Sequence, residues 1–197
     1  MNLIEVTPLA SADFPIAELK DFLRLGSGFT DDASQDGVIE ACLRAAIGAI
    51  EVRTSRALIL RQFRWSVFSF RKVENGILLP ITPIVWIDEV KLYGKDGNWF
   101  RHPIGTLSVV SDGQRPVMTV TEGELPKVPD QGRAAVLLNA GYGPWSAVPA
   151  PLQQAVLMLA GAYFENRETM VTVGAQMPLS VASLLAPFQR IRMGMGA

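Results

Sequence analysis

The stretch Gly141–Glu168, GYGPWSAVPAPLQQAVLMLAGAYFENRE, decides how the rest of the chain is read. It opens as a loop, because Gly141, Gly143 and Pro144 favour backbone angles that regular structure avoids. Pro149 and Pro151 then mark a helix start, where a missing N–H costs no hydrogen bond. From Leu152 onward, Val156, Leu159, Ala160, Tyr163 and Phe164 recur at helical spacing and form a broad apolar stripe. Alanines and Gly161 beside the stripe leave room for a second helix to approach closely. The polar end, Glu165, Arg167 and Glu168, faces water or a partner. No catalytic signature lies within it, so the stretch reads as a packing element.

Working outward, the preceding segment Arg133–Ala140 has the composition of a strand running into the Gly141 loop. Further back the period is two. Phe63, Trp65 and Val67 alternate with Gln62, Arg64 and Ser66, the pattern of a half-buried strand. Glu74–Gly76 is a turn, Ile77–Leu79 a short strand stopped by Pro80 and Pro83, and Val85–Tyr93 another strand. Asp96–Gly97 marks a hairpin turn. A further hairpin joins Thr106–Val110 to Pro116–Thr121 through Asp112–Gly113. Residues 58–140 are therefore expected to be an inserted block of short antiparallel strands.

Two helices are expected before that block. In PIAELKDFLRL, Ile16, Leu19, Phe22 and Leu23 share a face, with Ser11 or Asp13 as cap and Gly26 and Gly28 ending it. A longer helix runs from about Gln35 to Ser55, with Asp32 or Ser34 as cap. Val38, Cys42, Ala46 and Ile50 recur every four residues beside Ile39, Leu43 and Ile47, an arc wide enough to pack on more than one side. Cys42 falls within that arc and reads as a buried, inert thiol. After Glu168, ETMVTVGAQM has no strong pattern and reads as a flexible connection, and Pro178 opens a short helix, PLSVASLLAPF. The expected fold is α+β: about four helices forming a scaffold around the inserted strands. The division is an N-terminal helical part (1–57), the strand-rich part (58–140) and a C-terminal helical part with its arm (141–197), as one composite domain.

The 197 residues are enough for one sizeable core. Eighteen basic against nineteen acidic residues give a net charge of −1, which argues against a dedicated nucleic-acid binder. An apolar content of 49% and a mean hydropathy of +0.23 fit either a generous core or apolar surface buried against other subunits. The single cysteine forbids an internal disulfide and suits a reducing compartment. MNLIEVTPLA lacks the marks of a signal peptide. The longest apolar run, AVLMLAGAYF, is well short of the roughly 20 residues that span a bilayer. The expectation is a soluble, intracellular protein with no membrane contact.

Chemistry finds little to stand on. His102 is the only histidine, which with one cysteine rules out multi-histidine and thiolate metal sites. No G-x-S-x-G supports a triad through it, and it reads as a surface histidine in a strand connection. Phosphate-binding glycine motifs are missing. The acidic pairs Asp31/Asp32, Asp88/Glu89 and Glu165/Glu168 read as caps and solvated ends, although paired carboxylates keep a small hydrolase as a competing reading. DDASQD lacks the spacing of a calcium loop. Arg53, Arg56, Arg61, Arg64 and Arg71 form a loose basic series that reads as a solvated face paired with Glu51 and Glu74. Trp65, Trp86, Trp99 and Trp145 read as core or interface anchors. No catalytic, metal or cofactor residue is assigned, and a β-rich ligand-binding module is the other competitor.

Three stretches in order carry a resemblance: DDASQDGVIEACLRAAIGAIEVRTSRALI, then the GYG loop with VP and the alanine-rich helix ending ENRE, then MPLSVASLLAPFQRIRMG. Together they resemble the head–tail connector (adaptor, or head-completion) proteins of tailed phages, including those of prophage-derived gene transfer agents. The resemblance implies a non-enzymatic structural protein that forms a ring, usually of twelve subunits, under the portal of the capsid. It implies the portal protein and a head-closure (stopper) or tail-completion protein as partners. DNA would pass through the lumen without sequence-specific binding. The protein would be assembled in the bacterial cytoplasm and sit at the head–tail interface of the particle. Carried onto matching positions, Ile39, Leu43, Ile47, Leu152, Val156, Leu159 and Tyr163 would be the ring scaffold. Leu179, Leu184, Leu185, Phe188, Arg190 and Arg192 would be a portal-binding arm.

Overall fold

The computed structural model describes residues 2–24, 35–74, 76–111, 115–165 and 177–189. Among them the chain divides into two compact units, one strand-built and one helical. The strand unit contains residues 1–8 and 59–142, and the helical unit contains Leu9–Leu58 with the described residues from Gly143 on.

The strand unit holds two antiparallel sheets. The first has five strands in the order β1 (Asn2–Glu5), β2 (Arg61–Val67), β9 (Arg133–Ala140), β5 (Ile84–Tyr93) and β6 (Trp99–His102). The second has the order β3 (Lys72–Val73), β4 (Gly76–Leu78), β8 (Val117–Val120) and β7 (Leu107–Val110). The period-two reading holds along β2: Phe63, Trp65 and Val67 are buried while Arg64 is exposed. Since side chains alternate across a strand, the paired registers put Phe63, Trp65, Val136, Leu138, Val90 and Leu92 on one face, where all are buried. Ile77 and Met118 of the second sheet are fully buried as well.

β1 was not foreseen. In the first residues Leu3 and Ile4 are neighbours rather than alternating, which leaves no half-buried strand pattern, yet Asn2–Glu5 pair with Phe63–Ser66 at the sheet edge. The expected N-terminal helical part therefore begins with a strand that belongs to the other unit. The hairpin at Asp96–Gly97 forms as read, with Gly94 N–H bonded to the Asn98 carbonyl at 2.7 Å and Gly97 at φ +83°. The Asp112–Gly113 turn lies outside the described residues, although the strands it joins, β7 and β8, pair as expected. Gly141 is indispensable for the exit from β9. Its φ is +134°, and a Cβ there would sit 2.5 Å from the backbone of Leu60.

The helical unit is built on α1 (Ile16–Phe22), α2 (Asp36–Thr54), α3 (Ala150–Glu165) and α4 (Leu179–Leu185), with α2 packed on α3 and α3 on α4. In α2 the inward face is Ile39, Leu43, Ala46, Ile47 and Ile50. Val38 and Cys42 lie at its margin, Val38 exposed and Cys42 half-buried, so the expected burial of the thiol is corrected. The apolar arc is narrower than every-fourth spacing suggested, because 3.6 residues per turn rotate that row away from the contact. Helix α2 ends on Ser55 in the left-handed region, φ +55°, and the Glu51 carboxylate accepts the N–H of Leu58 at 2.8 Å.

The small residues of α3 do what their spacing implied. Ala155, Ala160 and Gly161 are buried, and a Cβ on Gly161 would come within 3.2 Å of the Phe22 ring of α1. Asp13 does not cap α1, whose first position follows Pro15. Instead its carboxylate accepts the N–H of Ala10 at 2.8 Å and closes a short turn before the helix. Gln35 precedes α2, and the expected caps Asp32 and Ser34, like Gly26 and Gly28, lie outside the described residues. Lys20, nearly buried, pairs with Asp36 at 2.6 Å and ties α1 to α2. The ETMVTVGAQM connection falls, except for Met177, outside the described residues.

Candidate functional site

The residues expected to act fall into three groups. The first, the scaffold set, is mostly interior: Ile39, Leu43, Ile47, Leu152, Val156 and Leu159 are all buried within the helical unit, and only Tyr163 is half-buried. Burial raises the Tyr163 hydroxyl above the usual tyrosine range. Six of the seven therefore hold α2 against α3 and have no surface to offer a neighbour.

The second group is the C-terminal arm. Helix α4 begins after Pro178, and Ala186–Phe188 continue as a 3-10 turn. Val181 and Leu185 are fully buried, Leu184 and Phe188 half-buried, and Leu179 is 89% exposed. Arg56 anchors the end of the arm. Its Nε donates to the Phe188 carbonyl at 3.2 Å, and its guanidinium lies 5.4 Å from the centre of the Phe188 ring. The helix is too short to be stable alone, and packing against α3 is what holds it. Within residues 178–189 the arm is thus partly packed on its own subunit, through Val181 and Leu185. Arg190 and Arg192 lie outside the described residues.

The third group holds the would-be chemistry. Asp31, Asp32 and Glu168 lie outside the described residues. Asp88 and Glu89 do not form an acid–base pair, since each is occupied. Asp88 accepts N–H groups from Gln62 (2.7 Å), Trp86 (2.8 Å) and Asn139. Glu89 is bound by Lys91 at 2.8 Å and by Arg101, and the Lys91 hydrogen bond leads in holding its carboxyl below the usual glutamate range. A bulge in β5 between Ile87 and Glu89 separates the environments of the two carboxylates. His102 is in strand β6 opposite Val90 rather than in a loop, half-buried, with Nε2 unpartnered among the described residues. Burial lowers its pKa below the usual histidine range. Among the described residues no group of three metal-ligating side chains gathers, and no helix is long and apolar enough to cross a membrane.

The basic series also divides. Arg61 is buried against Glu5 at 3.1 Å and over the Phe63 ring, and Arg56 serves the arm. Arg53, Arg64 and Arg71 are exposed. Trp65 is core, Trp145 donates to Glu18 at 2.8 Å, and Trp86 and Trp99 are about half exposed at 45% and 54%.

What the sequence reading missed is a surface. The face of the five-stranded sheet opposite its buried side is concave, enclosing about 690 Å³ between β1, β2, β9 and β5. Arg64, Lys91 and Arg133 line it with Glu89 and Tyr93, and Arg101 reaches Glu89 from β6. The cations are held in place: Arg133 stacks on Tyr93 at 4.6 Å and Lys91 on Trp99 at 5.0 Å. The signal was present in Glu89, Lys91 and Tyr93 at every second residue of β5. The whole-chain charge of −1 concealed it, because that sum cancels a local excess of cations.

No protein-family model matches the sequence, and no curated protein matches it. Solved structures do. The chain is 37% identical to a chain of the neck of an empty gene transfer agent (GTA) particle computed with C6 symmetry, with a TM-score of 0.86, covering 100% of this chain and 99% of that one. It is 36% identical to a chain of the virion of a native GTA particle (TM-score 0.84, 100% and 99% covered). A chain of the neck of a native GTA particle computed with C12 symmetry is 34% identical (TM-score 0.78, 100% and 99% covered). The α+β architecture and these full-length matches define a structural protein of phage-like particles. More particularly, the chain belongs to the family of these gene transfer agent neck proteins.

Proposed function

We propose that the chain is a non-enzymatic head–tail connector, or adaptor, that forms a ring at the neck of a gene transfer agent particle. The observation that carries this reading is the end-to-end match to a chain of a GTA neck computed with C12 symmetry. The order of the three connector-like stretches supports it. On this reading a ring of twelve copies sits beneath the portal protein and hands over to a head-closure (stopper) or tail-completion protein. DNA passes through the lumen without sequence-specific contact, and the subunits fold in the bacterial cytoplasm before joining the particle. A ring requires heterologous contacts, in which one patch of a subunit meets a different patch of the next. The portal contact falls to the exposed start of the arm at Leu179, to Leu184 and Phe188 beside it, and to the Arg190 and Arg192 tail. Leu185 serves the subunit's own core.

The test is deletion and replacement in a producing strain. Loss of the chain should leave filled or empty heads without tails, and cryo-EM of complemented particles should show twelve copies directly on the portal. Normal tailed particles without the chain would refute the connector role. A six-copy ring distal to the portal would make it the head-closure protein.

A further inference from the structure

We infer that the cationic face of the five-stranded sheet receives the acidic β8–β9 loop of a second copy of this chain, and that this contact closes the ring. The inference rests on the connector reading and adds the surfaces by which neighbouring subunits meet. Arg64, Lys91, Arg101 and Arg133 stand on or beside this face against one carboxylate in their midst, Glu89. Asp88, the next residue, does not line the groove, and its carboxylate is held by three neutral N–H donors. Arg64 is exposed and, among the described residues, makes no ion pair or ring contact. Among the described residues the groove therefore presents more positive charge than Glu89 offsets.

The complementary charge is on the same unit. Between β8 and β9 the chain runs without regular structure as TEGELPKVPDQG, residues 121–132. Glu122, Glu124 and Asp130 are exposed there, against the single cation Lys127. Gly123 sits at φ +84°, and Pro126 is buried, which pins the middle of the loop while its carboxylates face outward. The loop leads from β8 of the second sheet into β9 of the first, so its two glutamates lie at the end away from Arg133, which lines the groove. Unlike patches that complement each other are what a head-to-tail ring needs, since a two-fold contact would need a self-complementary one. Opposite potentials also speed encounter and set register between copies. Nucleic acid would match the cations equally well, but it would leave the exposed acidic loop without a role.

A charge-swap experiment tests this with the full chain. One variant carries Glu122→Lys and Glu124→Lys, a second carries Arg64→Glu and Arg133→Glu, and a third combines them. Each is expressed as the sole copy in producing cells, and the chain is quantified per purified particle by mass spectrometry. Melting curves of the purified variants establish that each is folded. Each single-surface variant should lower neck occupancy on the order of tenfold, and the combination should restore most of it. Wild-type occupancy in the loop variant, or no recovery in the combination, overturns the inference. Purified wild-type chain is also titrated with duplex DNA at about 50 mM salt. Tight binding abolished by the groove changes would assign the face to nucleic acid and overturn it as well. Wild-type chain missing from the neck defeats the connector reading itself, whereas wild-type chain in place with indifferent variants defeats only this contact.

Discussion

The helical and strand units solve the same problem in opposite ways. The helical unit turns its apolar positions inward: the facing rows of α2 and α3, and both buried residues of α4, are consumed in its own core. The strand unit buries one face of its main sheet and leaves the other open, lined with cations and aromatic rings. A helix in a bundle must hide a wide stripe, while an antiparallel sheet can afford to face water on one side. The difference teaches that conspicuous apolar periodicity marked what holds the subunit together. The surface free to engage another molecule came from inconspicuous alternation.

The comparison can be broken most sharply at the arm. Truncation after Met177 removes Val181 and Leu185, each fully buried. It should cost about 3 to 6 kcal/mol at about 1.5 to 3 kcal/mol per side chain. Urea unfolding of the purified chain measures this. An unchanged midpoint would show the arm to be free of the core.

Next in size, Leu43→Ala in α2 should destabilise by about 2 to 5 kcal/mol, because Leu43 is wholly buried and its removal leaves a cavity. Arg64→Ala on the open sheet face should stay within about 0.5 kcal/mol. Equal losses in the two melts would erase the distinction between a closed unit and an open face.

A sharper test inside the strand unit is Gly141→Ala. With φ at +134° and Leu60 backbone 2.5 Å from the added Cβ, a loss of about 1 to 3 kcal/mol is expected. Gly48→Ala in α2, where nothing lies within 4 Å of the added Cβ, should instead be neutral or stabilising. Thermal melts of the pair compare a glycine demanded by tertiary contact with one that is not.

The smallest effect is titration of His102. Its pKa is lowered by burial, so below the ordinary histidine value of about 6.5 the unfolded chain takes up a proton that the folded chain resists. Stability should therefore fall as pH drops through that range towards the folded pKa. His102→Gln should remove that part of the slope, as melting points collected between pH 7 and 5 would show. An identical slope in the variant would mean the imidazole is better hydrated than its place in β6 implies.

Much of the fold was legible because local chemistry and tertiary structure agreed. Proline at the start of α3, glycine at its approach, the hairpin at Asp96–Gly97 and the alternation along β2 each follow from backbone rules that need no partner. The order of the connector-like stretches pointed to phage-like particles, and the solved necks bear out a structural protein of the gene transfer agent neck. The candidate site was read less well. Cys42 and Val38 were placed inside α2 by a four-residue count that overruns the true helical repeat.

The sequence by itself determined the α+β class, nearly every strand and helix, and kinship with particle proteins, since periodicity and turn chemistry are written residue by residue. Only the tertiary structure decided that Asn2–Glu5 complete a sheet begun near residue 61, because strand pairing joins segments far apart in the chain. Only it decided that α4 closes on α3, because a short helix takes its stability from the surface it covers. The gathering of Arg64, Lys91 and Arg133 on one face was likewise fixed by register between β2, β5 and β9, which composition cannot express.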